Sequence, residues 1–313
     1  MNKPVQPPRN SLLERAAEVY DFGSALRGTN LPPLDIPAAA IPSAPAPQPT
    51  VDPSVPDSAP AVARARDWTG APQTLDRAAM AEAGYMVPGG PVSGVSEEFR
   101  IIKRELLATI RGTKQQGPLP HGNVILIASA HSGDGKTYCA INLAVSLAAE
   151  TDLEILLVDA DFGKPSIMQA LGLSGTLGFM DALVDPSVAV EDCVVATDIP
   201  SLFVLPSGTT TNRDAEYLAS ARMEQILSAL VDGRPNRVVL FDSPPLLAAT
   251  PAAVLAAHVG QTVLVVRADR TSEAALRDAA DLLGDGSAIR LLLNGVKFSA
   301  SGRRFGTYYG KEG

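Results

Sequence analysis

Three short stretches of this sequence carry residues that could bind phosphate and a divalent metal. The first reads Ala130-His131-Ser132-Gly133-Asp134-Gly135-Lys136-Thr137 and lies between a strand-like run and a helix-like run. Small residues let backbone N–H groups turn inward around a phosphate, and the N-terminus of the following helix adds partial positive charge. This is the pattern of a P-loop, although alanine replaces its first glycine. Lys136 would reach the β- and γ-phosphates, and the Thr137 hydroxyl would ligate Mg²⁺.

The other two stretches end predicted strands in aspartates. Leu156-Leu157-Val158-Asp159-Ala160-Asp161 ends one strand with two carboxylates, and Val239-Leu240-Phe241-Asp242-Ser243-Pro244-Pro245 ends another with one. A strand-end aspartate is the usual second contact to the metal of a P-loop protein. Because side chains alternate along an extended segment, Asp159 and Asp161 share one face. One of them could then serve the metal while the other meets the attacking nucleophile.

These motifs predict ATP and Mg²⁺ as cofactors. Asn294 ends a further predicted strand and could pair with the edge of the base, and the segment 205–208 also follows a strand. Plain turn chemistry is the alternative at both places. The predicted nucleotide-binding residues are Ser132, Gly133, Asp134, Gly135, Lys136, Thr137, Tyr138 and Asn294.

An alternation of strand-like and helix-like runs after residue 123 would position these motifs. The predicted strands are 124–128, 155–158, 202–205, 238–241, 262–266 and 289–293, and predicted helices include 138–149, 215–231 and 273–283. The alternation predicts an α/β fold, a P-loop NTPase-like, mostly parallel sheet with helices on both faces. Ligands of such sheets bind at the carboxyl ends of the strands, where the three motifs lie.

The rest of the chain divides by composition. Residues 1–30 include an amphipathic helix over 11–26, and residues 31–92 are rich in Pro, Ala and Ser and are predicted to be a disordered linker. The P-loop domain is expected over 93–300, beginning with a second amphipathic helix over 96–112. Residues 301–313 are expected to be a flexible tail with Tyr308 and Tyr309.

Composition excludes several classes of protein. The formal net charge of −8 argues against broad nucleic-acid binding. Cys139 and Cys193 lie far apart without metal-ligand spacing, which fits a reducing cytoplasm. No signal peptide is expected at the start of the chain. The uncharged stretch 243–266 is long enough to span a bilayer, but Pro251 and Gly260 divide it, so a short helix and a buried strand are predicted instead.

At these residues the chain resembles the bacterial tyrosine kinases, which are P-loop proteins unrelated in fold to eukaryotic protein kinases. More narrowly it resembles the tyrosine autokinases of exopolysaccharide loci associated with exosortase sorting systems. The resemblance runs from about residue 96 to 297, and the start of the chain, 11–18, is also similar. The matching segments are 133–137, 140–144, 157–161, 164–166, 178–183, 241–245 and 293–294.

The resemblance implies roles for individual residues. Lys136 and Thr137 would hold the phosphates and Mg²⁺, Asp161 and Asp242 would complete the metal site, and Asp159 would orient or deprotonate the tyrosine hydroxyl. Lys164 stands near a position where the family often has arginine. A row on the second amphipathic helix resembles the family's subunit-contact motif and implies a ring-shaped homo-oligomer; its residues are Glu97, Arg100 and Lys103, with Arg104 beside them.

The implied function is an ATP-dependent protein-tyrosine autokinase that regulates exopolysaccharide biosynthesis or export. Tyr308 and Tyr309 would accept the phosphate, entering the site of a neighbouring subunit. A membrane polysaccharide co-polymerase, or chain-length determinant protein, is the implied partner, and it would hold a cytoplasmic protein at the inner membrane. The alternatives are a nucleotide-dependent switch or a scaffold, each binding ATP without phosphorylating tyrosine.

Overall fold

A seven-stranded sheet forms the centre of the part of the chain that the structure describes. The computed structural model describes Trp68, residues 70–113 and residues 115–296. In the described part of the chain the strands are β1 (Val124–Ser129), β2 (Glu154–Asp159), β3 (Val195–Ala196), β4 (Leu202–Leu205), β5 (Arg237–Asp242), β6 (Gln261–Arg267) and β7 (Ala288–Asn294). Their order is β3-β4-β2-β5-β1-β6-β7, and all neighbours are parallel except β3 and β4. The predicted mostly parallel α/β fold is confirmed.

Helices cover both faces of this sheet. They are α1 (Arg77–Glu82), α2 (Gly94–Arg111), α3 (Lys136–Ala148), α4 (Ile167–Leu171), α5 (Phe179–Val184), α6 (Asp214–Leu218), α7 (Ala221–Val231), α8 (Pro251–Ala256) and α9 (Glu273–Leu283). Helices α1 to α4 pack on one face and α5 to α9 on the other. Because both faces are covered, β1 and β5 are buried along their whole length, which explains their uninterrupted apolar runs.

The uncharged stretch 243–266 divides as predicted, into α8 and the buried strand β6. Pro251 starts α8 at a position where a missing N–H costs nothing. In the described residues, every helix is too short or too polar to cross a bilayer.

The predicted disordered linker is wrong over its last part, because residues 70–92 pack on the sheet. Leu75 and Met80 are buried beside α3 and α4, and Asp76 caps α1 by accepting from the Ala79 N–H at 2.9 Å. Leu75 and Met80 are the two fully buried apolar side chains of the segment 70–92 and lie five positions apart, while the apolar side chains at 85–87 pack beside them partly buried, so helical periodicity does not reveal this packing. The predicted N-terminal helix, the linker up to residue 67 and the tyrosine tail lie outside the described residues.

Two further predictions about helices need correction or refinement. The predicted helix 215–231 is interrupted, because Ser220 turns the chain between α6 and α7 and its hydroxyl donates to the Tyr217 carbonyl at 2.6 Å. The helix predicted over 96–112 begins two residues earlier, at Gly94, where Ser93 and Ser96 cap it reciprocally. The short helices α4 and α5 have too few residues to leave a periodic signal.

Candidate active site

The P-loop follows β1, and hydrogen bonds from side chains of residues 129–134 fix its conformation. Ser129 Oγ donates to the His131 carbonyl at 2.8 Å, and the His131 N–H donates to Asp134 Oδ2 at 3.0 Å. Gly135 has φ 101°, and a Cβ there would lie 2.1 Å from Asn294 Nδ2. Only glycine meets both requirements, so the fold itself requires the glycine at this position of the predicted motif.

Three of the predicted nucleotide-binding side chains are engaged within the protein. Asn294 Nδ2 donates to the Asp134 carbonyl at 2.9 Å, which ties the end of β7 to the P-loop. Asp134 is buried under the loop, and Tyr138 turns away from it: its hydroxyl donates to the Gly84 carbonyl at 3.1 Å and its ring stacks on Tyr85. Asp134 and Tyr138 therefore have only backbone groups to offer a nucleotide.

Lys136 and Thr137 open α3 directly behind the loop. Lys136 is only 6% exposed, and its charge acts on the carboxylates of half-buried Asp161 and buried Asp242. Thr137 Oγ1 donates to Asp242 Oδ2 at 2.6 Å. Hydroxyl and carboxylate oxygens are the ligands that Mg²⁺ prefers, so this pair fits a metal beside bound phosphates.

Asp159 and Asp242 lie side by side because they are register partners at the ends of β2 and β5. Asp159 Oδ2 accepts the backbone N–H groups of Ser166 at 2.9 Å and Ile167 at 3.0 Å. The Oδ1 atoms of Asp159 and Asp242 are both buried without a hydrogen-bond partner. A buried carboxylate oxygen without a partner is costly, so a cation or a donated proton here would be strongly stabilised.

Burial dominates the electrostatics of these carboxylates. Desolvation raises the pKa of Asp242 to about 7, against the opposing effect of the Thr137 hydrogen bond. Desolvation also raises the pKa of Asp159, and that of Asp161, where the nearby charge of Lys136 opposes the shift. The structure thus brings together all four predicted catalytic residues, Lys136, Asp159, Asp161 and Asp242, at one edge of the sheet.

Known proteins resemble both the sequence and this fold. The AAA domain family matches residues 122–282. Tyrosine-protein kinase YwqD of Bacillus subtilis is 32% identical over 213 residues, which make up 67% of this chain and 84% of YwqD. Tyrosine-protein kinase Wzc of Salmonella typhi is 32% identical over 145 residues, 46% of this chain and 20% of Wzc. The chain belongs to the bacterial tyrosine-protein kinases. The crystal structure of the VpsO kinase domain is 27% identical in sequence and superposes with a TM-score of 0.54. The match covers 64% of this chain and 96% of the VpsO chain.

The predicted subunit-contact row of this kinase is only partly at the surface. Arg100 pairs with Glu97 at 2.5 Å on the exposed side of α2. Lys103, in contrast, is buried against the end of α3, where its ammonium group pairs with Glu150 at 2.6 Å and donates to the Ser146 carbonyl at 3.1 Å. Lys103 is therefore engaged within the chain, whereas Arg100 and Arg104 are exposed on α2, and the subunit contact of this row stays a prediction.

Arg270 is a residue near the site that the sequence did not suggest. It follows β6, and its Nη1 lies 3.6 Å from the position that a Cβ on Gly133 of the P-loop would occupy. Its guanidinium has no hydrogen-bond or ion-pair partner in the described part of the chain. An unpaired cation over a phosphate-binding loop suits a polyphosphate ligand. In sequence it looks like any surface arginine.

The raised pKa of Asp242 predicts a pH-dependent stability of the nucleotide-free kinase. Its folded-state pKa of about 7 exceeds the ordinary value of 3.8, so the folded protein binds this proton more tightly than the unfolded chain. The resulting stabilisation is complete below the unfolded value and is lost as the pH rises through 7. We expect Asp242→Asn to raise the Tm of the nucleotide-free protein by several degrees at pH 8 and by much less at pH 5.

Differential scanning fluorimetry without Mg²⁺ measures this effect. Asp278→Asn, which changes an exposed carboxylate on α9, is the matched control and should leave Tm unchanged at both pH values. An equal Tm for wild type and Asp242→Asn at pH 8 would contradict the argument.

Proposed function

We propose that this kinase transfers the γ-phosphoryl group of Mg-ATP to Tyr308 and Tyr309 of a neighbouring subunit. By this reaction it would regulate exopolysaccharide biosynthesis or export. The observation that carries the proposal is the meeting of Thr137 and Asp242, a fitting metal pair, with Asp159, a buried carboxylate that has one anchored and one free oxygen. A kinase needs a metal contact and a proton acceptor at one place.

The proposed chemistry follows from these positions. Lys136 and the P-loop backbone hold the β- and γ-phosphates of ATP, and Thr137, Asp161 and Asp242 hold the metal. Bound Mg²⁺ would neutralise negative charge on the phosphoryl oxygens. The tyrosine oxygen forms a bond to the γ-phosphorus, the bond to the bridging oxygen breaks and ADP leaves. Asp159 accepts the phenolic proton; because its Oδ2 is fixed by two N–H groups, its free Oδ1 is the proton acceptor.

The proposed acceptors lie in sequence beyond the described residues, on a segment whose extended length is compatible with a site on a neighbouring subunit. Tyr308 follows the last described residue, Val296, by twelve positions, which span about 40 Å when extended. The partner that we propose is a membrane polysaccharide co-polymerase, which would bring the kinase to the cytoplasmic side of the inner membrane. The family resemblance supports this partner.

Mass spectrometry after incubation with Mg-ATP tests the proposal. Wild type should carry phosphate on Tyr308 or Tyr309, whereas Tyr308→Phe/Tyr309→Phe should carry none and still bind ATP. ATP binding without any phosphotyrosine in wild type would reject the autokinase and favour a nucleotide-dependent switch.

Charge reversal on α2 tests the proposed ring. We expect Arg104→Glu to shift the protein towards monomer, because Arg104 is exposed while its neighbour Lys103 is paired within the chain. Light scattering at several protein concentrations measures the shift. Arg277→Glu on α9 is the control, since Arg277 is also exposed but lies outside the row. An unchanged mass for Arg104→Glu would remove it from the interface.

A further inference from the structure

The two edges of the sheet differ in length and in cover. At one edge β3 has two residues and Gln73 pairs beside it: the Gln73 N–H donates to the Ala196 carbonyl at 2.9 Å, and the Asp198 N–H donates to the Gln73 carbonyl at 2.8 Å. At the other edge β7 has seven residues, and within the described chain no strand pairs with its outer side. A long unpaired edge is a template for a further strand, so proteins normally shorten, charge or cover it.

The same strand carries an uncovered apolar row. Ile289, Leu291 and Leu293 alternate along β7 and are 36%, 62% and 60% exposed. Leu291 is the register partner of Leu264 on β6, which is fully buried in the core cluster that α9 helps to form. Helix α9 therefore covers β6 on this face and leaves β7 bare. This row and the unpaired backbone beside it are called the β7 edge below.

The opposite face of β7 borders a cleft of about 380 Å³ beside α2. Arg290 lines this cleft and its guanidinium is fixed, because Nη1 donates to Gln261 Oε1 at 2.7 Å and Nη2 donates to Thr109 Oγ1. Glu105 and Thr109 add polar groups to the lining, and Ala108 and Leu119 add apolar ones. A mixed lining with a fixed guanidinium suits a phenol, which has an aromatic ring and a polar tip.

The segment that follows β7 has the composition that this edge requires. Residues 305–309 read Phe-Gly-Thr-Tyr-Tyr, in which every residue but the glycine favours strands. Gly295 has φ 69°, so the chain turns directly after β7, and residues 295–303 are enough to bring it back. Because this segment is tethered beside the edge, its effective concentration there exceeds that of any separate partner.

One antiparallel register matches the segment to both faces of β7. On the exposed face the opposed pairs are 293 with 305, 291 with 307 and 289 with 309. Phe305 and Tyr309 then pack on the apolar row, as aromatic and aliphatic side chains do across paired strands. On the other face Tyr308 lies opposite Arg290 at the cleft, and Gly306, which has no side chain, lies opposite the already buried Leu292.

We infer that the segment 303–309 adds to the sheet as an antiparallel strand on the β7 edge of its own chain, and that this contact withholds Tyr308 and Tyr309 from phosphorylation. The inference rests on the proposed function, in which these tyrosines accept phosphate. Paired in this way, Tyr309 lies beside Ile289, five residues or about 17 Å from the end of β7 that is tied to the P-loop. The segment must leave the edge before a neighbouring subunit can phosphorylate it.

Hydrogen exchange of the amides at 305–309, measured by mass spectrometry on the full chain, tests the contact. Leu291→Glu places a charge on the apolar row and should raise the exchange rate about fivefold, the effect of one lost cross-strand pair. Phe305→Ser removes the opposing aromatic ring and should have the same effect. Val184→Glu is the matched control, because Val184 is 46% exposed at the end of α5, and it should change nothing. Equal exchange in wild type and Leu291→Glu would overturn the inference.

A second copy of the chain is the other candidate for the edge, and dilution distinguishes the two. Exchange is therefore also measured on monomer, obtained by dilution and checked by light scattering. Protection that persists in the monomer supports pairing within one chain. Protection that disappears on dilution would assign the edge to a second copy and overturn the inference.

Phosphorylation is read separately from this contact. A Lys136→Ala chain serves as substrate for the wild-type enzyme, so that only the delivery of the substrate's tyrosines varies. Addition of Leu291→Glu to the substrate should speed its phosphorylation about fivefold, in step with hydrogen exchange. Equal rates for the two substrates would contradict the withholding of the tyrosines. A protected segment without phosphotyrosine in either substrate would reject the proposed function alone, whereas an unprotected segment would reject the contact with β7.

Discussion

Lys136→Ala is expected to lower the rate of phosphoryl transfer to tyrosine by about a thousandfold or more. Lys136 is buried at the start of α3, and its charge acts on Asp161 and Asp242. In the proposed reaction it meets the β- and γ-phosphates, where charge moves as the bond breaks, and loss of such a charge contact costs about 10³-fold or more in comparable reactions. Single-turnover measurement with saturating Mg-ATP isolates this step from binding.

Substitution of Arg270 should affect nucleotide binding, which can be compared with the effect of Lys136→Ala on phosphoryl transfer. Arg270→Gln should weaken ATP and ADP binding while leaving adenosine binding unchanged, because only the phosphorylated ligands present an anion to the loop. Arg277→Gln, on the following helix and paired with Glu273 at the surface, should change neither. Transfer at the wild-type rate in Lys136→Ala would refute the placement of the phosphates on this loop.

The central sheet was predictable because its strands obey one physical rule. A strand covered on both faces is mostly apolar through its middle, and β1, β2, β5 and β6 each contain such a run, followed by polar residues where the chain leaves the sheet. The place of the proposed catalytic carboxylates follows from the same rule, since Asp159 and Asp242 end neighbouring strands. Strand bounds differed from the prediction by about one residue.

The features that sequence missed depend on contacts between distant segments. Lys103 looked like a surface cation until α3 supplied Glu150 and a carbonyl for its ammonium group. Residues 70–92 looked like linker because their two buried side chains pack on helices that lie far along the chain. Asp181 carried no visible role, since its partner N–H at Thr209 is 28 positions away. Periodicity and motif spacing describe neighbours in sequence, so none of these pairings leaves a local signal.

Asp159→Asn separates proton transfer from nucleotide binding. The amide oxygen of asparagine can still accept the N–H groups of Ser166 and Ile167, so the loop after β2 should keep its position. The variant nevertheless has no basic oxygen. General-base catalysis contributes about 10²- to 10⁴-fold, so we expect a loss of that size in tyrosine phosphorylation with ATP affinity within about twofold of wild type.

Asp161→Asn should lose activity for a different reason from Asp159→Asn. Comparison of the Mg²⁺ dependence of the two variants therefore distinguishes the roles of the two aspartates. Asp161 is half-buried and close to Lys136, in the position proposed for a metal contact, so its loss should raise the Mg²⁺ concentration needed for activity. Excess Mg²⁺ should therefore restore Asp161→Asn substantially and Asp159→Asn hardly at all. If Mg²⁺ rescued both variants equally, Asp159 would be a metal contact and the proton would have to leave by another group. Rescue of Asp161→Asn alone supports the division of labour in which one aspartate of the pair serves the metal and the other the tyrosine.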